Sequence, residues 1–81
     1  MRVEVLLFGA EAQALGRRSA AVVTEPGSTC ATLLQQLAKD YAPLRPLLGA
    51  ARFAINSEFA GPDRVVHEGD EVALIGMVSG G

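Results

Sequence analysis

Thr29-Cys30-Ala31-Thr32-Leu33-Leu34-Gln35-Gln36-Leu37-Ala38-Lys39-Asp40-Tyr41 is the stretch that decides the fold. Cys30, Leu33, Leu34, Leu37, Ala38 and Tyr41 recur at the three- and four-residue spacing of one helix face, and Gln35, Gln36, Lys39 and Asp40 fall outside it. The spacing predicts a helix over 30–41 with one core-facing stripe. Thr29 suits the N-cap, because its hydroxyl accepts an orphan backbone N–H. The acid or amide that completes a capping box is missing, since Thr32 stands in its place. Pro43 and Pro46 prevent the helix from running far, and Leu44, Leu47 and Leu48 are left to cover the core in a short turn.

Working outward, Val3-Glu4-Val5-Leu6-Leu7-Phe8 reads as a first strand. Val3, Val5 and Leu7 share one face, and Glu4, Leu6 and Phe8 the other. Gly9 ends it, and 10–15 is a short helical segment stopped by Gly16. Ala20-Ala21-Val22-Val23 belongs to a second strand, hairpin-paired with the first, and Glu25-Pro26-Gly27 is the turn before the helix. Beyond the helix, Arg52-Phe53-Ala54-Ile55-Asn56 is a third strand, and Ser57 and Glu58 turn it into Phe59 and Ala60. Gly61-Pro62-Asp63 is a turn, Val65 and Val66 a short edge piece, and His67-Glu68-Gly69-Asp70 a tight turn into a last strand over 71–75. The helical crossover lets the first and last strands lie side by side and parallel. One main helix packed across a mixed sheet, an α+β arrangement, is the economical two-layer solution.

The chain has 81 residues, 49% apolar and 20% charged, so it is read as one soluble domain. A domain of this size buries only about 60% of its unfolded surface, which leaves little room for an internal active site. The net charge is −2 and the positive residues are scattered, so nucleic acid is not an expected partner. Cys30 is the single cysteine, which rules out an internal disulfide and a cysteine metal cluster. Met1-Arg2-Val3-Glu4 does not open like a signal peptide, and no stretch approaches the roughly 20 apolar residues of a membrane helix. A cytoplasmic location and no membrane partner are expected.

The body of the chain carries no catalytic constellation. His67 is the single histidine and sits in a turn, and Cys30 falls on the core stripe. Asp63, Glu68, Asp70 and Glu71 lack the alternating ligand pattern of an EF-hand, so no metal site is expected. Chemistry points instead to the end, Leu74-Ile75-Gly76-Met77-Val78-Ser79-Gly80-Gly81. A diglycine threads a narrow channel and takes backbone angles closed to other residues. The 1–76 segment reads as the folded domain and 77–81 as a flexible tail. From Gly76 to Gly81 that tail reaches about 20 Å if extended at ~3.3–3.6 Å per residue. Phe8 and Ile75 lie opposite the core-facing residues of their strands, and Phe59 joins them in an outward apolar patch suited to a partner.

The order of elements resembles the β-grasp fold of ubiquitin. Glu68-Gly69-Asp70-Glu71-Val72-Ala73-Leu74, followed by Val78-Ser79-Gly80-Gly81, resembles the MoaD/ThiS family of ubiquitin-like sulfur carriers, and specifically its MoaD-type members, the small subunits of molybdopterin synthase. Val5-Leu6-Leu7-Phe8-Gly9 and Phe53-Ala54-Ile55-Asn56 fit as well, so the resemblance covers the whole chain. It implies a non-catalytic carrier that binds no cofactor of its own. An E1-like partner uses ATP to adenylate the carboxylate of Gly81, and a sulfur donor converts the acyl-adenylate to a thiocarboxylate. The large synthase subunit, in a heterotetramer, then receives Met77, Val78, Ser79, Gly80 and Gly81 in its active site, and sulfur passes to cyclic pyranopterin monophosphate during molybdenum cofactor biosynthesis. The family's apolar docking positions fall on Phe8, Phe59 and Ile75. One departure is clear: Gly76-Met77 stands where members commonly have Pro-Pro. Alternatives are a carrier for thiamine or another sulfur metabolite, a ubiquitin-like modifier joined through Gly81 to lysines of other proteins, and a β-grasp binding module with an idle tail.

Overall fold

Alternation along Arg2–Leu7 (β1) carries Val3, Val5 and Leu7 into the core, as period-two geometry requires. The computed structural model describes residues 1–76. After β1 come α1 (Gly9–Leu15), β2 (Ser19–Val23), α2 (Cys30–Asp40), a 3₁₀ turn (Ala42–Leu44), α3 (Arg45–Leu48), β3 (Ala51–Ile55), β4 (Glu58–Ala60) and β5 (Val72–Gly76). The five strands form one mixed sheet in the order β2-β1-β5-β3-β4. β1 pairs antiparallel with β2 and parallel with β5, while β3 is antiparallel to both β4 and β5.

The helix on which the fold was argued packs as its stripe demands. Leu33 and Leu37 are fully buried, Cys30 nearly so, and Leu34, Ala38 and Tyr41 are partly buried against the same core. The Thr29 hydroxyl accepts from the Thr32 N–H at 3.4 Å. At the other end the Arg45 guanidinium donates to the Ala38 carbonyl, which satisfies one of the orphan acceptors of a helix terminus. The Tyr41 hydroxyl donates to the Ala21 carbonyl at 2.6 Å and ties that end of α2 to β2. The β3–β4 hairpin turns through Asn56 (φ 52°) and Ser57 (φ 71°), two successive left-handed residues of the kind whose twist matches paired strands.

Four boundaries differ from the sequence reading. β1 stops at Leu7, so Phe8 is not a strand residue; it is the extended residue before α1, with φ −137° and ψ 161°. Gly9 opens α1 instead of closing β1. Val65 makes a single bridge to Thr29 and no edge strand forms there. The reason lies at the start of α2: its orphan N–H groups take the carbonyls of this segment, Cys30 N–H from Arg64 at 2.9 Å and Ala31 N–H from Pro62 at 3.0 Å. β5 begins at Val72, because Glu71 is engaged by Asn56. The Glu71 N–H donates to Asn56 Oδ1 at 3.0 Å, and its carbonyl accepts from the Asn56 N–H at 2.8 Å.

Candidate functional site

Parallel pairing sets the site. β1 and β5 run the same way, and the register ends with Leu7 opposite Leu74. The next residues, Phe8 and Ile75, therefore lie side by side at one end, Phe8 beyond the ladder and Ile75 still paired with Arg52 of β3. Phe8 is 52% exposed and Ile75 is half-buried. Both line an open cavity of about 300 Å³, together with Glu11, Pro46, Leu47 and Gly76. The pair predicted from strand faces is thus brought together, although Phe8 arrives by the register and not by the pleat.

Phe59 is placed differently. It is 57% exposed, on β4, at the far edge of the sheet from Phe8. Its register partner is Ala54, and Ile75 is opposite Arg52, so Arg52 lies between the two apolar residues on the outer face. The Arg52 guanidinium stands 5.3 Å from the centre of the Phe59 ring, a cation–π contact. Phe8 and Ile75 form one lobe, and Phe59 under Arg52 forms another. Met77, Val78, Ser79, Gly80 and Gly81 lie outside the described residues, as does the expected flexible segment 77–81.

Glu11 was not singled out from the sequence. It is only 4% exposed, the one charged residue among those buried. It stands in α1 one turn before the partly buried Leu15, and that i, i+4 spacing was the available signal. A Cβ added at Gly76 would stand 2.5 and 2.7 Å from the two Glu11 carboxylate oxygens and 3.0 Å from Cδ. Glycine at 76 is what lets the carboxylate sit over the end of β5.

The remaining candidates build structure. The Asp70 carboxylate accepts from the His67 backbone N–H at 2.8 Å and from Asn56 Nδ2 at 3.0 Å, and closes the turn before β5. The His67 N–H, then the Asn56 amide, hold the Asp70 carboxyl below its ordinary range. Burial pushes the Cys30 thiol up, with Arg64 acting weakly the other way. Such a thiol stays protonated and is a poor nucleophile. Among the described residues no group of three His, Cys, Asp or Glu side chains is placed to hold a metal ion, and no helix is long and apolar enough to cross a membrane.

Sheet, crossover helix and terminal lobe define a ubiquitin-like β-grasp domain of the MoaD type. The ThiS family model matches residues 5–81, and the chain belongs to the ThiS family. It is 34% identical to the molybdopterin synthase sulfur carrier subunit of Mycobacterium tuberculosis, over 100% of this chain and 99% of that protein. SAMP1 from Haloferax volcanii is 26% identical and superimposes with a TM-score of 0.84, covering both chains completely. A chain from the complex of subunits 1 and 2 of the molybdopterin-converting factor of Helicobacter pylori shares the fold, with a TM-score of 0.70, 23% identity and full coverage of both chains.

Proposed function

We propose that this chain is the sulfur carrier subunit of a molybdopterin synthase. The observation that carries the reading is the full-length identity of 34% to a protein of that name, within a family match that runs through the terminal Gly-Gly. In this reading the carboxylate of Gly81 attacks the α-phosphorus of ATP on an E1-like enzyme and releases pyrophosphate. A sulfur donor then displaces AMP and leaves a thiocarboxylate. Adenylation replaces a poor leaving group by a good one, and glycine leaves the carbonyl unhindered. The carrier docks by the lobe of Phe8 and Ile75, which lies where β5 ends, so the residues after Gly76 start at the docking face. The large subunit then accepts 77–81, and sulfur passes to cyclic pyranopterin monophosphate. The domain itself performs no catalysis.

The test is an intact mass after incubation with ATP, an E1-like activating enzyme and a sulfur source, followed by fragmentation of the tail. Sulfur-for-oxygen exchange at Gly81 is the expected result, and fragmentation separates it from oxidation of Met1 or Met77, which gives a nearly equal gain. An ordinary carboxylate at Gly81 after such treatment would reject the carrier reading. Phe8→Asp should weaken binding of the large subunit at least tenfold with the fold intact by circular dichroism. Likeness to SAMP1, also described as a small archaeal modifier protein, favours a second reading, a protein modifier. That reading predicts amide conjugates between Gly81 and target lysines, where a dedicated carrier gives a free thiocarboxylate.

A further inference from the structure

We propose that Glu11 is an ionic anchor of the docking lobe, receiving an arginine or lysine side chain that the large-subunit partner inserts between Phe8 and Pro46. The inference rests on the reading of this lobe as a docking surface. Glu11 is 96% buried, yet it forms part of the wall of an otherwise apolar cavity that Phe8, Pro46, Leu47 and Ile75 also line. Acids are rarely buried, and among the described residues no side-chain oxygen is both shut off from solvent and without a hydrogen-bond partner. Among the described residues the one ion pair is Arg2–Glu4, on the surface, and none of their cations stands within salt-bridge reach of Glu11. Gly76 matters too. Any side chain there would occupy the place of the carboxylate oxygens, at 2.5 to 2.7 Å, so glycine keeps them at the cavity wall.

Docking changes the electrostatics of this group. A partner that covers Phe8 and Ile75 closes the cavity and removes the water that reaches the carboxylate. A desolvated charge with no counter-charge is strongly unfavourable, whereas a cation brought in by the partner restores the interaction and strengthens it in the drier site. A cavity of about 300 Å³ has room for such a side chain. Its methylenes would lie along Leu47 and Pro46, its head would meet the carboxylate, and the Phe8 ring offers a face for a guanidinium. An apolar lobe alone would bind many surfaces; a buried acid within it selects partners with a cation at one place.

The experiment is calorimetric titration of the full chain with the molybdopterin synthase large subunit of the same organism, at low and high salt, for the wild type, Glu11→Gln and Glu11→Met. Both variants should bind at least fivefold more weakly, and their affinity should fall less between low and high salt than that of the wild type. Glu11→Met should at the same time hold or raise the melting temperature of the free domain, because it replaces a buried acid by an apolar side chain of similar length. A structural role would lower stability and affinity together. A loss below fivefold in both variants, an unchanged salt dependence, or uptake of a proton on binding (seen by repeating the titration in buffers of different ionisation heat) would overturn the proposal. If the wild type binds and Phe8→Asp does not, while Glu11→Gln binds normally, only this inference fails. If the wild type does not bind, the docking reading fails with it.

Discussion

Gly76→Ala puts one methyl group where the Glu11 carboxylate lies. The added Cβ would be 2.5, 2.7 and 3.0 Å from Oε1, Oε2 and Cδ, all at or inside the shortest approach that real Cβ atoms make. Gly76 does not have a positive φ, so alanine meets no backbone penalty and instead gains about 0.4–1 kcal/mol by restricting the unfolded chain. Against that, the Glu11 carboxylate, the far end of a flexible side chain beside an open cavity, must swing aside, which costs about 0.5–1.5 kcal/mol if it leaves its rotamer. The net expectation is a change of at most about 1 kcal/mol. For a domain of this length the melting temperature moves by about 4–8 °C per kcal/mol. The assay is urea unfolding followed by far-ultraviolet circular dichroism, run as a double-mutant cycle with Glu11→Ala. With the carboxylate gone, the methyl group has free space, and Gly76→Ala should become neutral or stabilising. The two substitutions should therefore couple by about 0.5–1.5 kcal/mol, the cost of displacing the carboxylate. Equal effects of Gly76→Ala in both backgrounds would refute the claim that Glu11 is what demands glycine there.

Two further outcomes follow from the titrating groups. Because hydrogen bonds lower the Asp70 carboxyl in the folded state, its contribution to stability is present above the ordinary aspartate range and is lost as pH falls through the lowered folded value. Urea midpoints of the wild type and Asp70→Asn should therefore differ at neutral pH and converge as the pH drops below about 4; a gap that persists in acid would contradict this. Cys30, buried and with its thiol pushed up, should react with iodoacetamide at pH 8 far more slowly in the native protein than in urea, and equal rates would show that the helix face is not closed.

The main helix was legible because a small core leaves little choice. Its six stripe residues had to face one way, and Leu33 and Leu37 are among the fully buried residues of the core. The strands were legible for the same reason, from Val3, Val5 and Leu7 at one end to Val72 and Leu74 at the other. What failed were boundaries set by distant groups. Phe8 continues the alternation of β1, but the ladder to β5 stops at Leu7 because the chain turns into α1 at Gly9, although β5 itself runs on to Gly76. Val65 and Val66 read as strand, but their segment caps the N–H groups of α2, a demand invisible within the segment itself. Glu11 lies in a helix of seven residues, where its spacing to Leu15 is a single repeat, and an acid is read as solvated by default. The need for glycine at 76 arises only from Glu11, across the whole length of the chain.

These failures share a place with the candidate site, and topology explains why. Two parallel neighbours must be joined by a crossover, so the ends of β1 and β5 come together through a connection that includes α2, β3 and β4. Phe8 with the start of α1 comes from one end of the sequence, Ile75 with Gly76 from the other, and Pro46 and Leu47 from the middle. No segment carries the lobe alone, so no local pattern can announce it. In the proposed docking role the same arrangement has a use. Residues that follow Gly76 necessarily begin at a surface built from three parts of the fold, so a partner that grips the surface also fixes where those residues start. In that role docking strength and delivery of the last residues are coupled through the closeness of Glu11 to Gly76, and a change at either position is expected to register in both.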